Sequence, residues 1–224
     1  MKDKIVFDIG ANRGEVAKSY IEAGYDVIAV EPLRDLCEYM VERFKEKDNF
    51  TCINGIVSPN SGSQTFYRGN ADTLSTTSID WMTKSRFSSY RWSSIGEIDC
   101  ISIDNLIEKY GEPVFIKIDT EGTESEVIRS LTKEFDCLIS VEWVQEFPQK
   151  SIDVVSYLRS LNFTEYYIHN HPRGNHFQSE NVLNEINQKT FIPIEKFEED
   201  FYTHFDNIPN NPSWGDIYIK RKTQ

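Results

Sequence analysis

Residues 4–32 read KIVFDIGANRGEVAKSYIEAGYDVIAVEP, and this stretch decides the fold. Ile5, Val6, Phe7 and Ile9 form a short apolar, β-prone run that stops at Gly10-Ala11-Asn12-Arg13-Gly14. A helical pattern follows at once in Val16, Ala17, Tyr20 and Ile21, and Gly24 ends it. A second apolar run, Val27-Ile28-Ala29-Val30, closes on Glu31-Pro32. Strand, glycine turn, helix and strand make a βαβ unit of the kind that binds nucleotide-like cofactors. Glycine in the turn lets the backbone bend sharply and approach a ligand closely. Glu31 follows Gly10 by 21 residues, about where such folds place the acid that holds two ribose hydroxyls.

The turn discriminates between cofactors. A dinucleotide fingerprint needs glycine at its first, third and sixth positions, and here those are Gly10, Asn12 and Glu15. Glu15 also repels a pyrophosphate from the helix N-terminus that normally attracts it. No G-x-x-x-x-G-K-[ST] loop is present. A cofactor with a ribose, no phosphate and a positive charge fits better, and S-adenosylmethionine has all three properties. Asp8, Gly10, Asn12, Gly14 and Glu31 are the candidate cofactor residues, with Asp8 facing the amino or sulfonium end.

Composition narrows the partners. The chain has 224 residues, with 24 basic against 36 acidic side chains and a net charge of −12. That length suits one domain spanning 1–224 with a sizeable core. The charge disfavours nucleic acid and anionic membranes, which both need a basic surface. No stretch approaches a transmembrane length, and Met1-Lys2-Asp3-Lys4 runs straight into the first strand, so no signal peptide is visible. Cys37, Cys52, Cys100 and Cys137 lack C-x-x-C spacing and sit in apolar periodic segments. They read as reduced core residues of a cytoplasmic protein.

Further along, Leu33, Leu36, Cys37, Met40, Val41 and Phe44 mark one face of an amphipathic helix. Phe50 to Ile53 is a third strand ending at Asn54-Gly55. Carboxyl ends of successive strands share one edge in a doubly wound sheet, so Asp8, Glu31 and Asn54 are expected to line up along the cofactor. Residues 4–56 thus form a cofactor-binding half. Residues 57–113 interrupt the alternation with a short strand at 64–67, a polar stretch at 70–94 holding Trp81, Phe87, Tyr90 and Trp92, and a strand at 97–103. A long polar loop of this kind is a lid or binding loop. Residues 114–168 form a catalytic half with strands at 114–119, 137–143 and 163–168. An excursion over 169–214 precedes a last strand at 215–221. Seven core strands alternating with helices predict an α/β sandwich.

The stretches Asp8 to Gly14, Val30-Glu31-Pro32 and Ser102-Ile103-Asp104-Asn105-Leu106 resemble the FkbM family of S-adenosylmethionine-dependent methyltransferases. The strongest match is Phe115-Ile116-Lys117-Ile118-Asp119-Thr120-Glu121-Gly122-Thr123-Glu124. The resemblance spans roughly residues 4–143. It implies a Rossmann-like, seven-stranded class I methyltransferase sheet with helices on both faces and its last strand antiparallel. It also implies methyl transfer to a hydroxyl, often on a sugar.

A hydroxyl is a poor nucleophile until its proton is removed, so a base or a metal ion is expected. Strand alternation puts Lys117 and Asp119 on one face, and Glu142 ends the neighbouring strand. Asp119, Lys117 and Glu142 are the candidate catalytic residues, with Asp119 oriented at the acceptor. Asp119 and Glu142 are also candidate oxygen ligands for Mg²⁺ or Mn²⁺. Glu121 clusters with Lys117 and Asp119 at the end of their strand or, like Glu124, suits the N-terminus of the following helix, where acids are favoured. His169-x-His171 with His176 lacks a fourth zinc ligand and reads as a polar loop. His171, Tyr202 and Trp214, in or next to the 169–214 excursion, are the candidate acceptor-binding residues. The expected acceptor is a carbohydrate, either a glycan or nucleotide-sugar-derived. Polyketide or lipid hydroxyls and a non-catalytic binding module are the alternatives.

Overall fold

The first strand, β1 (Ile5–Ile9), is buried along its whole length. It feeds α1 (Glu15–Glu22), which turns Ala17, Tyr20 and Ile21 inward. The chain returns through β2 (Asp26–Glu31), parallel to β1, with Ile5 opposite Asp26 and Ile9 opposite Val30. Next come α2 (Arg34–Arg43) and β3 (Phe50–Asn54), the latter parallel to β2 with Asn54 opposite Glu31. The computed structural model describes residues 4–170, 182–206 and 213–221.

The interruption at 57–113 is a small sheet of its own. Strands β4 (Ile56–Val57), β5 (Ser63–Gly69) and β6 (Trp92–Ile101) lie in the order β4-β6-β5. Strand β6 starts at Trp92, five residues before the expected Glu97. Its first half is mostly exposed, so no apolar alternation betrays it in the sequence. Between β5 and β6 lie a 3₁₀ turn at Asp72–Leu74 and the short helix α3 (Ile79–Lys84), capped by the Ser78 side chain accepting from Trp81 N at 3.2 Å. Helix α4 (Ile103–Tyr110) opens on a Ser102/Asn105 capping box.

The second half adds β7 (Phe115–Ile118), α5 (Glu124–Ile128), β8 (Leu138–Val144), α6 (Pro148–Ser160) and β9 (Glu165–Asn170). It ends with α7 (Val182–Asn187), β10 (Ile192–Pro193), α8 (Phe197–Asp206) and β11 (Trp214–Lys220). The main sheet runs β10-β9-β11-β8-β7-β1-β2-β3, and β11 is antiparallel to both β8 and β9. The seven expected strands are all present with the last one reversed. The eighth, β10, is a two-residue edge pair against β9, too short to show any period. Its proline sits on an edge, where a missing backbone donor is tolerated.

Helices cover both faces. On one, Phe7, Ile116, Ile139 and Ile217 pack with residues of α4, α5, α6 and α8. On the other, Val6, Ala29, Phe115 and Tyr218 pack with residues of α1, α2 and α7. The 169–214 stretch is therefore less of an excursion than its sequence suggests. Leu183 and Ile186 enter one core layer, while Ile194, Phe197 and Phe201 enter the other.

The cysteine reading needs correcting. Cys37 and Cys52 form a disulfide with their Cα atoms 5.9 Å apart, while Cys100 and Cys137 are free. Helix α2 packs back along β3, and this tertiary contact joins two residues that no spacing rule pairs. No helix among the described residues is long and apolar enough to cross a membrane.

Candidate active site

The glycine turn is built around a close crossing of loops. Gly10 has φ +82°, and a Cβ there would lie 1.8 Å from the backbone oxygen of Asp119. Only glycine permits both that conformation and that approach. Asn12 also adopts a positive φ of 50°, which aims its backbone N–H at Glu31. Glu31 accepts from Asn12 N through Oε2 and from Leu33 N through Oε1, both at 2.8 Å. These bonds fix the carboxylate while each oxygen keeps a free lone-pair direction. Burial pushes the Glu31 carboxyl up to about 7, although the two backbone donors pull it down.

A cavity of about 500 Å³ follows the carboxyl edge of the sheet. It runs from Glu31, Pro32 and Ile56, beside β2 and β3, to Asp119 and Glu142 at the ends of β7 and β8. Gly10 and Asn12 line it in between, and Trp81, Arg86, Phe87 and Trp214 form walls. The insertion therefore contributes one side of the cavity. Val30, Pro32, Ile56, Val57 and Leu74 give the Glu31 end of the cavity apolar surfaces.

Several expected residues act behind this surface. Asp8 is 1% exposed, lies opposite Lys117 in register, and its Oδ2 has no hydrogen-bond partner. Burial raises its carboxyl to about 6 against the pull of Lys117. Asn54 donates through Nδ2 to the carbonyl oxygens of Glu31 at 3.0 Å and Pro32 at 2.8 Å. It braces the end of β2 and does not line the cavity. Gly14 allows close packing, since a Cβ there would meet Met40 Sδ at 2.9 Å. Tyr202 is 44% exposed and lies away from the cavity, because α8 buries Phe197 and Phe201 and the next residue is turned by about 100°. Trp214 does line the cavity, and His171 lies outside the described residues.

The β7 end carries the densest charge. Lys117 Nζ sits 2.6 Å from Asp119 Oδ2, as strand alternation predicts. Burial alone would depress the Lys117 ammonium, but attraction to Asp119, Asp216 and Asp8 raises its pKa and keeps it charged. Glu124 does not cap α5 as expected; its side chain reaches back into the preceding turn, accepting from Thr120 N at 2.8 Å and Gly122 N at 3.1 Å. Glu121 instead has φ +56° and lines the cavity, with its carbonyl held by Thr76 Oγ1 at 2.8 Å. One carboxylate oxygen from each of Asp119, Glu121 and Glu142 lies within 4.8 Å of the others. Burial and then repulsion from Asp119 push both Glu121 and Glu142 well up. Arg86 is bound by Glu146 through two contacts of 2.6 Å, with its guanidinium 5.6 Å from the Trp214 ring centre. Sequence reasoning left Arg86 and Glu146 out, and it kept Glu121 open as a cap. The one local clue was the glycine directly after Glu121, which marks a turn and not a helix start.

The sequence profile of the methyltransferase FkbM domain matches residues 8–165, taking in the glycine turn, Glu31 and the Lys117-to-Glu124 motif. The chain is an FkbM-family methyltransferase. Its activity is S-adenosylmethionine-dependent methyl transfer. Solved structures similar to this FkbM chain are distant. The precorrin-6y C5,15-methyltransferase of Geobacter metallireducens is 12% identical over 98% of this chain and 81% of its own, with a TM-score of 0.47. The C-terminal domain of the Rhodobacter capsulatus precorrin-6Y C5,15-methyltransferase is 10% identical over 99% and 82%, with a TM-score of 0.46. A TehB-like S-adenosylmethionine-dependent methyltransferase from Corynebacterium glutamicum is 10% identical over 99% and 82%, with a TM-score of 0.42. No curated protein matches the chain.

Proposed function

We propose that this methyltransferase acts on a hydroxyl of a carbohydrate. The observation behind this reading is a single cavity joining Glu31 and the glycine turn to an Asp119–Lys117 pair walled by Trp81, Phe87 and Trp214. Bound S-adenosylmethionine supplies the electrophilic methyl group. Glu31 accepts from the ribose hydroxyls, and the pinned turn holds the cofactor in place. Asp119 accepts the proton of the acceptor hydroxyl, and Lys117, 2.6 Å away, orients it. Aromatic walls offer faces for a sugar ring, and positioning of this kind supplies most of what methyl transfer needs from a protein. The cavity's arginine is already neutralised by Glu146, so a free glycan suits it better than a phosphate-bearing nucleotide sugar.

A divalent cation, Mg²⁺ or Mn²⁺, on Asp119 and Glu142 is the second reading. The third oxygen donor, Glu121, favours it, and the Lys117 ammonium 2.6 Å from Asp119 weighs against it. Methyl transfer from labelled S-adenosylmethionine to a panel of defined sugars, polyketide alcohols and lipid alcohols tests both. Turnover on a sugar that survives EDTA supports the first reading. Turnover confined to non-sugars ends it, and loss in EDTA with recovery in Mg²⁺ or Mn²⁺ selects the metal. In the same assay Trp214→Ala is expected to raise the acceptor KM at unchanged cofactor affinity, while Tyr202→Ala has no effect.

Glu31→Ala is expected to weaken S-adenosylhomocysteine binding by about 1.5–3 kcal/mol, the range for charged hydrogen bonds. The pH dependence follows from the raised carboxyl. Ribose hydroxyls donate to the ionised form, which in the free protein predominates only above about 7. Affinity therefore climbs as pH rises through 7 and falls by up to about tenfold per unit below it. Isothermal titration across this range should show the slope in wild type and its absence in Glu31→Gln. A flat wild-type profile, or full affinity in folded Glu31→Ala, places the ribose elsewhere.

A further inference from the structure

Residues 85–94 read SRFSSYRWSS: three aromatics, five serines and two arginines, with no aliphatic and no acidic side chain. The stretch leaves the end of α3 and enters β6. With Trp81 of α3, its rings form a continuous row. Centroids step 5.5 Å from Trp81 to Phe87, 5.6 Å from Phe87 to Tyr90 and 6.3 Å from Tyr90 to Trp92. Trp81 is buried and backs Phe87, which lines the cavity. Tyr90 is 41% exposed. Trp92 is tied to the cavity wall, its Nε1 donating to the Leu74 carbonyl at 3.4 Å. The row thus passes from the wall of the cavity to the open surface beside it. None of the four rings belongs to the three apolar clusters that build the core. One exposed aromatic is ordinary, but a row that continues a cavity wall outward suits a ligand longer than the cavity.

The turn that carries these rings is held by its own hydrogen bonds. Ser85 Oγ donates to the Trp81 carbonyl at 2.6 Å and accepts from Phe87 N at 3.1 Å. Tyr90 N donates to the Phe87 carbonyl at 2.8 Å, and Asn70 N to the Arg91 carbonyl at 2.9 Å. Rings fixed in this way lose little freedom when a ligand docks.

We propose that the acceptor is an oligosaccharide, with the sugar that is methylated inside the cavity and its neighbours in the chain lying on Tyr90 and Trp92 outside it. This rests on the carbohydrate reading and adds chain length to it. Pyranose rings present C–H faces that pack on aromatic rings, and hydroxyls at their edges that need polar partners. Both are offered here, since the Tyr90 hydroxyl and the Arg91 guanidinium make no hydrogen bond among the described residues. An acyl or polyketide chain would instead call for aliphatic neighbours, and residues 85–94 contain none.

The test uses methyl glycosides of glucose, galactose, mannose and N-acetylglucosamine, each beside its di-, tri- and tetrasaccharide homologues, as acceptors for the full chain. Trisaccharides are expected to exceed monosaccharides by about tenfold or more in kcat/KM, the scale of two added aromatic contacts. Tyr90→Ala and Trp92→Ala together should bring that ratio close to one while S-adenosylhomocysteine affinity stays unchanged. Tyr90→Ala alone removes an exposed ring and should lower the ratio by about threefold, so the result does not hang on the folding of the double variant. Titration of each glycan into the S-adenosylhomocysteine complex reads the same ratio where turnover is slow. The proposal is overturned if chain length brings no gain, if the gain survives in both variants, or if no glycan is bound or methylated. Equal turnover of mono- and oligosaccharides removes the outer row and leaves the carbohydrate reading standing, whereas turnover confined to lipid or polyketide alcohols removes both.

Discussion

Asp119→Asn is expected to bind S-adenosylhomocysteine within a few-fold of wild type and to lose on the order of 10²–10⁴ in kcat. Asparagine keeps the size of the side chain but cannot take a proton from the acceptor. The surroundings change little. Lys117 remains flanked by Asp8 and Asp216, which help to hold its charge, and the backbone of Asp119 is anchored by its N–H to the Ile9 carbonyl at 3.1 Å. A loss confined to the chemical step is thus distinguishable from collapse of the site. Single-turnover methyl transfer with a parallel cofactor titration separates the two. Wild-type turnover in the variant would move the proton acceptor to Glu142 or Glu121, whose raised carboxyls lie in the same cluster. A large loss of cofactor affinity would instead make Asp119 a cofactor ligand.

Gly10→Ala is expected to destabilise the fold by about 2–5 kcal/mol. A left-handed conformation costs a residue with a side chain about 1–2 kcal/mol, and forcing a methyl group into packed backbone adds about 1–3 kcal/mol. The new carbon would sit 1.8 Å from Asp119 O and 2.9 Å from Asp119 C, neither of which is a flexible side-chain end. Either the glycine turn or the β7 loop must move, so methyl transfer should fall with stability. Gly24→Ala is the control. Its φ of +79° is equally unfavourable, but nothing lies within 4 Å of the added carbon, so only the conformational cost remains. Thermal denaturation should place Gly10→Ala about 4–20 °C below wild type at roughly 2–4 °C per kcal/mol. Equal melting temperatures for the two variants would refute the loop-crossing account.

Local pattern carried much of this molecule. A run of apolar residues cut by glycine, followed by a helical stripe, is enough to specify β1, α1 and β2, because strand and helix periods differ and glycine frees the turn. Alternation alone put Lys117 and Asp119 on one face, and the 2.6 Å pair follows. Twenty-one residues of spacing brought Glu31 to the turn, where Asn12 N now meets it.

Other features depend on parts of the chain that are far apart in sequence. Glu121 and Glu124 both read as caps by sequence, Glu124 the better of the two, since both are acids near a helix start. Neither side chain caps α5: Glu124 pins the turn before it, and that turn is also held by Thr76 and Lys150, both tens of residues away. Cys37 and Cys52 pair because α2 lies against β3, a contact that neither segment encodes alone. Asn54 lies opposite Glu31 at the carboxyl edge of the sheet but spends its side chain on the backbone at the end of β2. Tyr202 and Trp214 look alike as aromatics of one stretch, yet packing exposes the first and seats the second in the cavity. Period and turn residues thus determined the elements and the edge where chemistry gathers. Only the tertiary packing decided which carboxylates face the cavity, because side-chain direction at a strand end is set by whatever long-range contacts hold the next turn.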